Sequence, residues 1–279
     1  MNPSMATVNS SALRHWRHPG WLVLMQLGAL WPHWVWMARR TVDGSDEPRG
    51  VLALLTIIAL VLAERRQLSS VAAAPVLLTA GLLSFVATLG MHYLSPIIAA
   101  AVAVLAVTVL LAGSLPQPDH AGSRAALAVL ALLALPLTAS LNFYLGYPLR
   151  WVCAQGASAM ISLAGWQVTP EGAALIWNGK TILVDAPCAG IAMLWIGIYA
   201  AALMSYLYRA SWLRTGLNLI AAAVLVLAGN TLRNALLFFK EAGIAALPDW
   251  THEGIGLLVF GLLFWLLFHI TSWRSHAPR

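Results

Sequence analysis

The sequence predicts an all-α integral membrane protein with about eight transmembrane helices and a small extracytoplasmic β-hairpin before the sixth. Three observations carry that prediction. Hydrophobic residues make up 60% of the 279 positions and charged residues only 9%, whereas soluble chains carry roughly 25% charge. The mean hydropathy is +0.78. The apolar residues also fall into runs of the length a bilayer core needs, about 20 per helix. A soluble globular enzyme, a disordered chain and a nucleic-acid-binding protein are excluded together. The net charge of +6 then sets membrane orientation and does not signal a polyanionic partner.

Residues 1–20 read as a cytoplasmic N-terminal segment, and 21–279 as a single polytopic membrane domain. The first span is 21–37, between Arg14/Arg17 and Arg39/Arg40. No small-x-small cleavage site follows it, so it is expected to be retained. The second, 50–63, is short and closes at Glu64-Arg65-Arg66. Spans at 71–91, 96–115 and 125–144 follow. Pro75 and Pro136 lie inside apolar runs, where neighbouring helices can re-satisfy the freed carbonyl.

Residues 145–188 break the pattern. The break begins with Gly146-Tyr147-Pro148-Leu149-Arg150, and 151–165 reads as a helix lying in the membrane interface. Asn178-Gly179 stands between the apolar runs 173–177 and 180–184, the strongest short-range hairpin signal. Three more spans follow at 189–208, 216–239 and 254–272. Several of the 13 Trp sit where apolar runs end, among them Trp21, Trp36, Trp166, Trp212, Trp250 and Trp273. Indoles at those positions form an aromatic belt.

With an even number of spans both termini share a side. Nine basic residues (Arg14, Arg17, Arg65, Arg66, Arg124, Arg209, Arg214, Arg274, Arg279) then flank one face, and six (Arg39, Arg40, Arg49, Arg150, Lys180, Lys240) the other. The basic excess marks the cytoplasmic side. Both ends are therefore expected inside, and the hairpin outside.

Three reactive side chains fall on that outer face. Cys188 opens the sixth span, in Asp185-Ala186-Pro187-Cys188-Ala189-Gly190. Arg233 lies in the outer part of the seventh, in Gly229-Asn230-Thr231-Leu232-Arg233-Asn234. His252 opens the eighth. A thiolate is a nucleophile, and a helix N-terminus or a nearby imidazolium lowers the thiol pKa. His252 can pair with such a thiol and later protonate a leaving amine. The permanently charged Arg233 can hold a developing oxyanion, a contact worth roughly 2.7–4 kcal/mol for one donor. Asn230 and Asn234 stand three before and one after it, and Asn230 shares its helical face and can orient it.

Each residue also has a plainer reading. A lone Cys in an apolar helix is commonly a small buried hydrophobe, and Cys153 is read that way. A Cys153–Cys188 disulfide suits an oxidising compartment, but nothing in the spacing demands it. His252 alone could be an interfacial histidine, and Arg233 could snorkel to the headgroups. Against snorkelling, an Arg inside a span is rare and marks a functional site by default. A non-catalytic permease or assembly scaffold using Arg233 as an anion site is the alternative function. No Cys/His cluster with metal-ligand spacing is present, and no metal or organic cofactor is implied.

The ordered set of Cys188-x-Gly190 after a hairpin, Asn230-x-x-Arg233 in the next span and His252 opening the last resembles the exosortase/archaeosortase family. The resemblance covers roughly residues 50–272. It implies a multi-spanning cysteine protease/transpeptidase of the plasma (inner) membrane. Cys188 would be the nucleophile, Arg233 the transition-state stabiliser and His252 the acid/base, with Asn230, Asn234 and Gly190 supporting them. Its substrates would be exported proteins with a C-terminal sorting signal: a short motif such as Pro-Glu-Pro (the PEP-CTERM type), a transmembrane helix and a basic tail. In bacteria this protein sorting often accompanies exopolysaccharide production. Family members commonly show Ala-Cys-Ser-Gly-Leu at the nucleophile, where this chain has Pro187-Cys188-Ala189-Gly190-Ile191. The missing hydroxyl bears on subfamily and substrate more than on the chemistry.

Overall fold

The computed structural model describes residues 19–42, 44, 48–66, 72–114, 121–184, 190–245, 248 and 250–273. The helices are α1 (Pro19–Ala29), α2 (Trp31–Val42), α3 (Arg49–Glu64), α4 (Ala74–Tyr93), α5 (Pro96–Gly113), α6 (Ala121–Leu133) and α7 (Thr138–Leu163). A sheet of β1 (Thr169–Glu171), β2 (Ala174–Trp177) and β3 (Lys180–Leu183) follows. The helices α8 (Ile191–Leu207), α9 (Trp212–Glu241) and α10 (Thr251–Trp273) complete the order. The protein is a multi-pass membrane protein, mostly helical, with one small sheet.

Among the described residues four helices are long and apolar enough to cross a bilayer: α4, α5, α9 and α10. Counting the broken pair α6 and α7 as one span makes five. The expected total of eight is not reached, and the reasons are local. The run at 21–37 is interrupted at Leu30, giving α1 and α2 of 11 and 12 residues. Pro32 follows directly, and its ring fits only the first turn of a new helix. Helix α3 has 16 residues and α8 has 17, or about 25 Å at 1.5 Å per residue, short of the bilayer core. The run at 125–144 breaks before Pro136, where residues 134–137 leave the helix.

The interfacial helix expected at 151–165 is instead the second half of α7. That helix runs 26 residues and carries Pro148 inside it. The break expected to begin at Gly146-Tyr147-Pro148 is therefore continuous helix. The carbonyl that Pro148 leaves without its helical donor is that of Tyr144. Arg150 Nε donates to the Gly146 carbonyl at 3.2 Å.

The chain divides into two compact units: residues 1–137 with 205–215, and residues 138–204 with 216–279. In the first, α5 is central, with half of its span buried against 17% for α4. Ala87, Ala103, Ala106 and Val107 form its core with Leu30. The small side chains let the helices approach closely, the usual basis of helix association in lipid. Gln26 Nε2 donates to Ser84 Oγ at 2.8 Å, a polar clip between α1 and α4. The Tyr206 hydroxyl donates to Glu64 Oε2 at 2.9 Å.

The second unit carries the sheet, which corrects the expected hairpin. It is a three-stranded antiparallel meander in the order β1-β2-β3. Asn178 and Gly179 both have positive φ, 48° and 76°, as a two-residue type I′ turn requires. The extra strand β1 pairs Thr169 with Ile176 and Glu171 with Ala174. Pro170 concealed it, since Pro is tolerated only on an edge strand. One sheet face packs Val168, Leu175 and Val184 against Ala154, Ala157 and Ile161 of α7 and Ala235, Phe238 and Ala242 of α9. Ser158 Oγ pins the strand entry by donating to the Val168 carbonyl at 2.7 Å. Ala200, Ala201, Ala222 and Leu267 join α8, α9 and α10.

Candidate active site

In the second unit, α9 supplies three of the singled-out residues from one stretch, and α10 presents a fourth beside them. The first turn of α10 is closed by Thr251 N–H to the Pro248 carbonyl at 3.0 Å and Gly254 N–H to the Trp250 carbonyl at 2.9 Å. That fixes His252 at the start of the helix. Arg233 Nη2 lies 3.5 Å from His252 Nδ1. Guanidinium groups only donate. The contact is a hydrogen bond when Nδ1 holds its lone pair and Nε2 carries the proton.

The guanidinium is seated by an absence of side chain. A Cβ on Gly256 would stand 3.3 Å from Arg233 Nε, so a larger residue there would make the arginine give way by at least a few tenths of an ångström. Arg233 Nε is itself buried and has no hydrogen-bond acceptor among the described residues. Buried donors in native structures nearly always have partners, and an exception calls for a functional account.

One turn earlier on α9, Asn230 is almost fully buried, with 1% exposure. Its Nδ2 donates to Cys153 Sγ on α7 at 3.2 Å. Asn234 Nδ2 donates to the Asn230 carbonyl at 2.7 Å. The Asn230 side chain lies against Gly190, where a Cβ would approach its Cγ to 2.9 Å. Gly190 has φ +76°, a conformation an L side chain rarely adopts. Both conditions select glycine there.

A cavity of about 280 Å³ adjoins these residues, lined by Thr181–Val184 on one wall, Asn234, Phe238 and Glu241 on another, and His252. Cys188 itself lies outside the described residues, as do Asp185, Pro187 and Asp249. Gly190, two positions beyond Cys188, and Val184, four before it, are both buried.

The structure thus brings Gly190 to Asn230, Asn234 to the Asn230 backbone, and Arg233 to His252. Two participants escaped the sequence reading. Cys153, read there as a plain structural residue, is the acceptor for the Asn230 amide. Its signal was a buried stripe at helical spacing, Cys153, Ala157 and Ile161, hidden by the polar residues between. Gly256 was passed over as one of several glycines in an apolar helix. A glycine inside a helix costs about 1 kcal/mol relative to alanine and so implies a packing reason. Among the described residues no group of three His, Cys, Asp or Glu could hold a metal.

Residues 18–269 match a family model described as transmembrane exosortase. No curated protein and no solved structure matches the chain.

Proposed function

The chain belongs to the transmembrane exosortase family, and on that premise we propose that it is a membrane cysteine peptidase or transpeptidase. It cleaves the C-terminal sorting signal of exported proteins through a thioester on Cys188. The substrates carry a short motif, a transmembrane helix and a basic tail, and meet the enzyme at the extracytoplasmic face of the plasma membrane. The observation that carries the reading is the pairing of Arg233 on α9 with His252 on α10, 19 residues apart in the chain but 3.5 Å apart in space. Asn230 supports it by lying against Gly190, the glycine of the Cys188-x-Gly190 motif.

The chemistry runs in two balanced halves. The Cys188 thiol gives its proton to His252 as sulfur attacks the scissile carbonyl. Arg233 binds the developing oxyanion, and its buried Nε donor gains an acceptor. The imidazolium then protonates the departing amine, and the carbonyl re-forms as a thioester. Water or an amine next attacks the thioester, His252 takes the incoming proton, and the imidazolium returns it to the departing sulfur as the Cys188 thiol re-forms. The scissile carbonyl oxygen, once docked, also competes for the guanidinium N–H that His252 Nδ1 accepts in the resting arrangement. Engagement of the substrate therefore frees Nδ1 to take the thiol proton.

The test is processing of a reporter ending in a Pro-Glu-Pro motif, a transmembrane helix and an Arg cluster, expressed with the full-length enzyme. Cys188→Ala should leave the reporter uncut while the enzyme stays folded in the membrane. Cleavage at the native rate by that variant would overturn the proposal and return the chain to a non-catalytic anion-binding role.

A further inference from the structure

Among the described residues no strand lies on the outer edge of β3, and the geometry there points to an occupant. Val184 N–H donates to the Ala173 carbonyl at 3.0 Å, so residue 184 points its backbone groups at β2. Antiparallel pairing alternates with period two, and β2 and β3 pair from Trp177↔Lys180 to Ala174↔Leu183. Lys180, Ile182 and Val184 therefore face β2, while Thr181 and Leu183 direct their N–H and C=O groups outward. Strand β3 ends the sheet order, so no strand of the described residues pairs with those four groups.

The same edge forms a wall of the 280 Å³ cavity. Four consecutive residues, Thr181, Ile182, Leu183 and Val184, line it. Consecutive strand residues point to opposite faces, so a cleft that touches all four runs along the edge and not over one face. The lining also includes the apolar Leu175, Leu237 and Phe238 and the polar Asn234, Glu241 and His252. These polar side chains suit the remaining amides and carbonyls of a peptide and would leave a lipid chain in poor company.

We propose that the exported substrate binds as a fourth antiparallel or parallel strand on β3, its extended segment hydrogen-bonded to the backbones of Thr181 and Leu183 and its scissile region delivered to His252. This rests on the peptidase reading above and adds how the substrate is held. Strand addition at a free edge draws affinity from the main chain and specificity from alternate side chains. An extended peptide also exposes each carbonyl to attack, which a helical substrate would not.

The test uses the full-length enzyme in detergent and a synthetic peptide spanning the Pro-Glu-Pro motif of the reporter. Leu183→Pro removes an outward N–H and leaves the β2 ladder intact, because proline is tolerated on an edge whose N–H is unpaired. It should raise KM for the peptide about tenfold over that of Leu183→Ala, which makes a comparable side-chain truncation but keeps the N–H, with kcat of the two variants within about twofold of each other. An ester-for-amide scan of the peptide against the unmodified enzyme removes any question of folding. Successive positions should alternate between a loss of roughly three- to tenfold and no loss. A flat scan, or a Leu183→Pro KM equal to that of Leu183→Ala, overturns the strand. A change in oligomeric mass with unchanged KM assigns the edge to self-association and overturns it equally. Failure of Cys188→Ala to abolish cleavage would instead sink the peptidase reading itself, so the two failures are distinguishable.

Discussion

Arg233 Nη2 and His252 Nδ1 stand 3.5 Å apart, although 19 residues separate them in the chain. The contact joins the seventh turn of α9 to the first turn of α10. It pairs a group that only donates with a ring that does either, beside a cavity lined by the same histidine. His252 alone would not suggest chemistry, whereas Arg233 does so by lying inside a span. Their pairing, with Arg233 Nε still lacking an acceptor among the described residues, leaves a donor available for an incoming oxygen.

Arg233→Lys tests that vacancy for an oxyanion. Lysine keeps the charge but loses the planar fork and the Nε donor. Cleavage of the reporter should fall about 10²–10³-fold, the usual loss when one oxyanion donor is removed. Membrane yield and the detergent melting temperature should match the native protein. Native-rate cleavage by the lysine variant would mean that the guanidinium serves only to hold α10.

Gly256 gives an independent probe of the same seat. Gly256→Ala asks Arg233 to shift by a few tenths of an ångström, since the new Cβ stands 3.3 Å from Nε. The expected loss of turnover is slight. Gly256→Val adds two methyls at that point and displaces the guanidinium, so kcat should fall roughly 10²-fold, as for other misplacements of about 1 Å. Equal activity in the two variants would show that the approach of α10 to Arg233 has no functional weight.

How much of this was legible in the sequence follows from which forces act locally. Arg233 could be singled out because a charge inside an apolar run is costly wherever the helix packs. The Asn178-Gly179 turn was legible because positive φ at two successive residues restricts composition. The helix boundaries were not. Gly146 and Pro148 open a stretch that composition sets apart and the packing of α7 keeps helical, while the interruption at Leu30 falls inside a run long enough to read as one span. Cys153 and Gly256 owe their importance to partners 77 and 23 positions away, a relation that no local window contains. The segment of the expected nucleophile, Cys188, lies outside the described residues, so its legibility rests on motif order alone.

Gly190→Ala should be harmful for two separable reasons. A side chain at φ +76° costs roughly 1–2 kcal/mol in the left-handed region, and its Cβ meets Asn230 Cγ at 2.9 Å. Asn230→Ala relieves the second and not the first. The double variant should therefore melt higher than the sum of the single effects predicts, with a coupling of about 0.5–3 kcal/mol between contacting residues. Strict additivity in detergent melts would remove the Gly190–Asn230 contact from the account.

The two cysteines should differ in accessibility, and the difference can be read with one reagent. Cys153 has 0% exposure and holds the Asn230 amide at 3.2 Å, so a maleimide should not reach it in intact membranes. The proposed nucleophile must by contrast be open to a peptide carbonyl. The unmodified protein should take up one maleimide per chain, with loss of cleavage, and Cys188→Ala should take up none until it is unfolded, when Cys153 labels. Cys153→Ser retains a small acceptor for Asn230 and should keep most activity. Cys153→Val leaves a buried amide donor without its acceptor, a penalty of about 1–3 kcal/mol, and should lower the melting temperature and slow cleavage together. Rapid labelling of native Cys188→Ala would contradict the buried position of Cys153. If Cys153→Val were fully active, the Asn230–Cys153 bond would be packing without influence on the site.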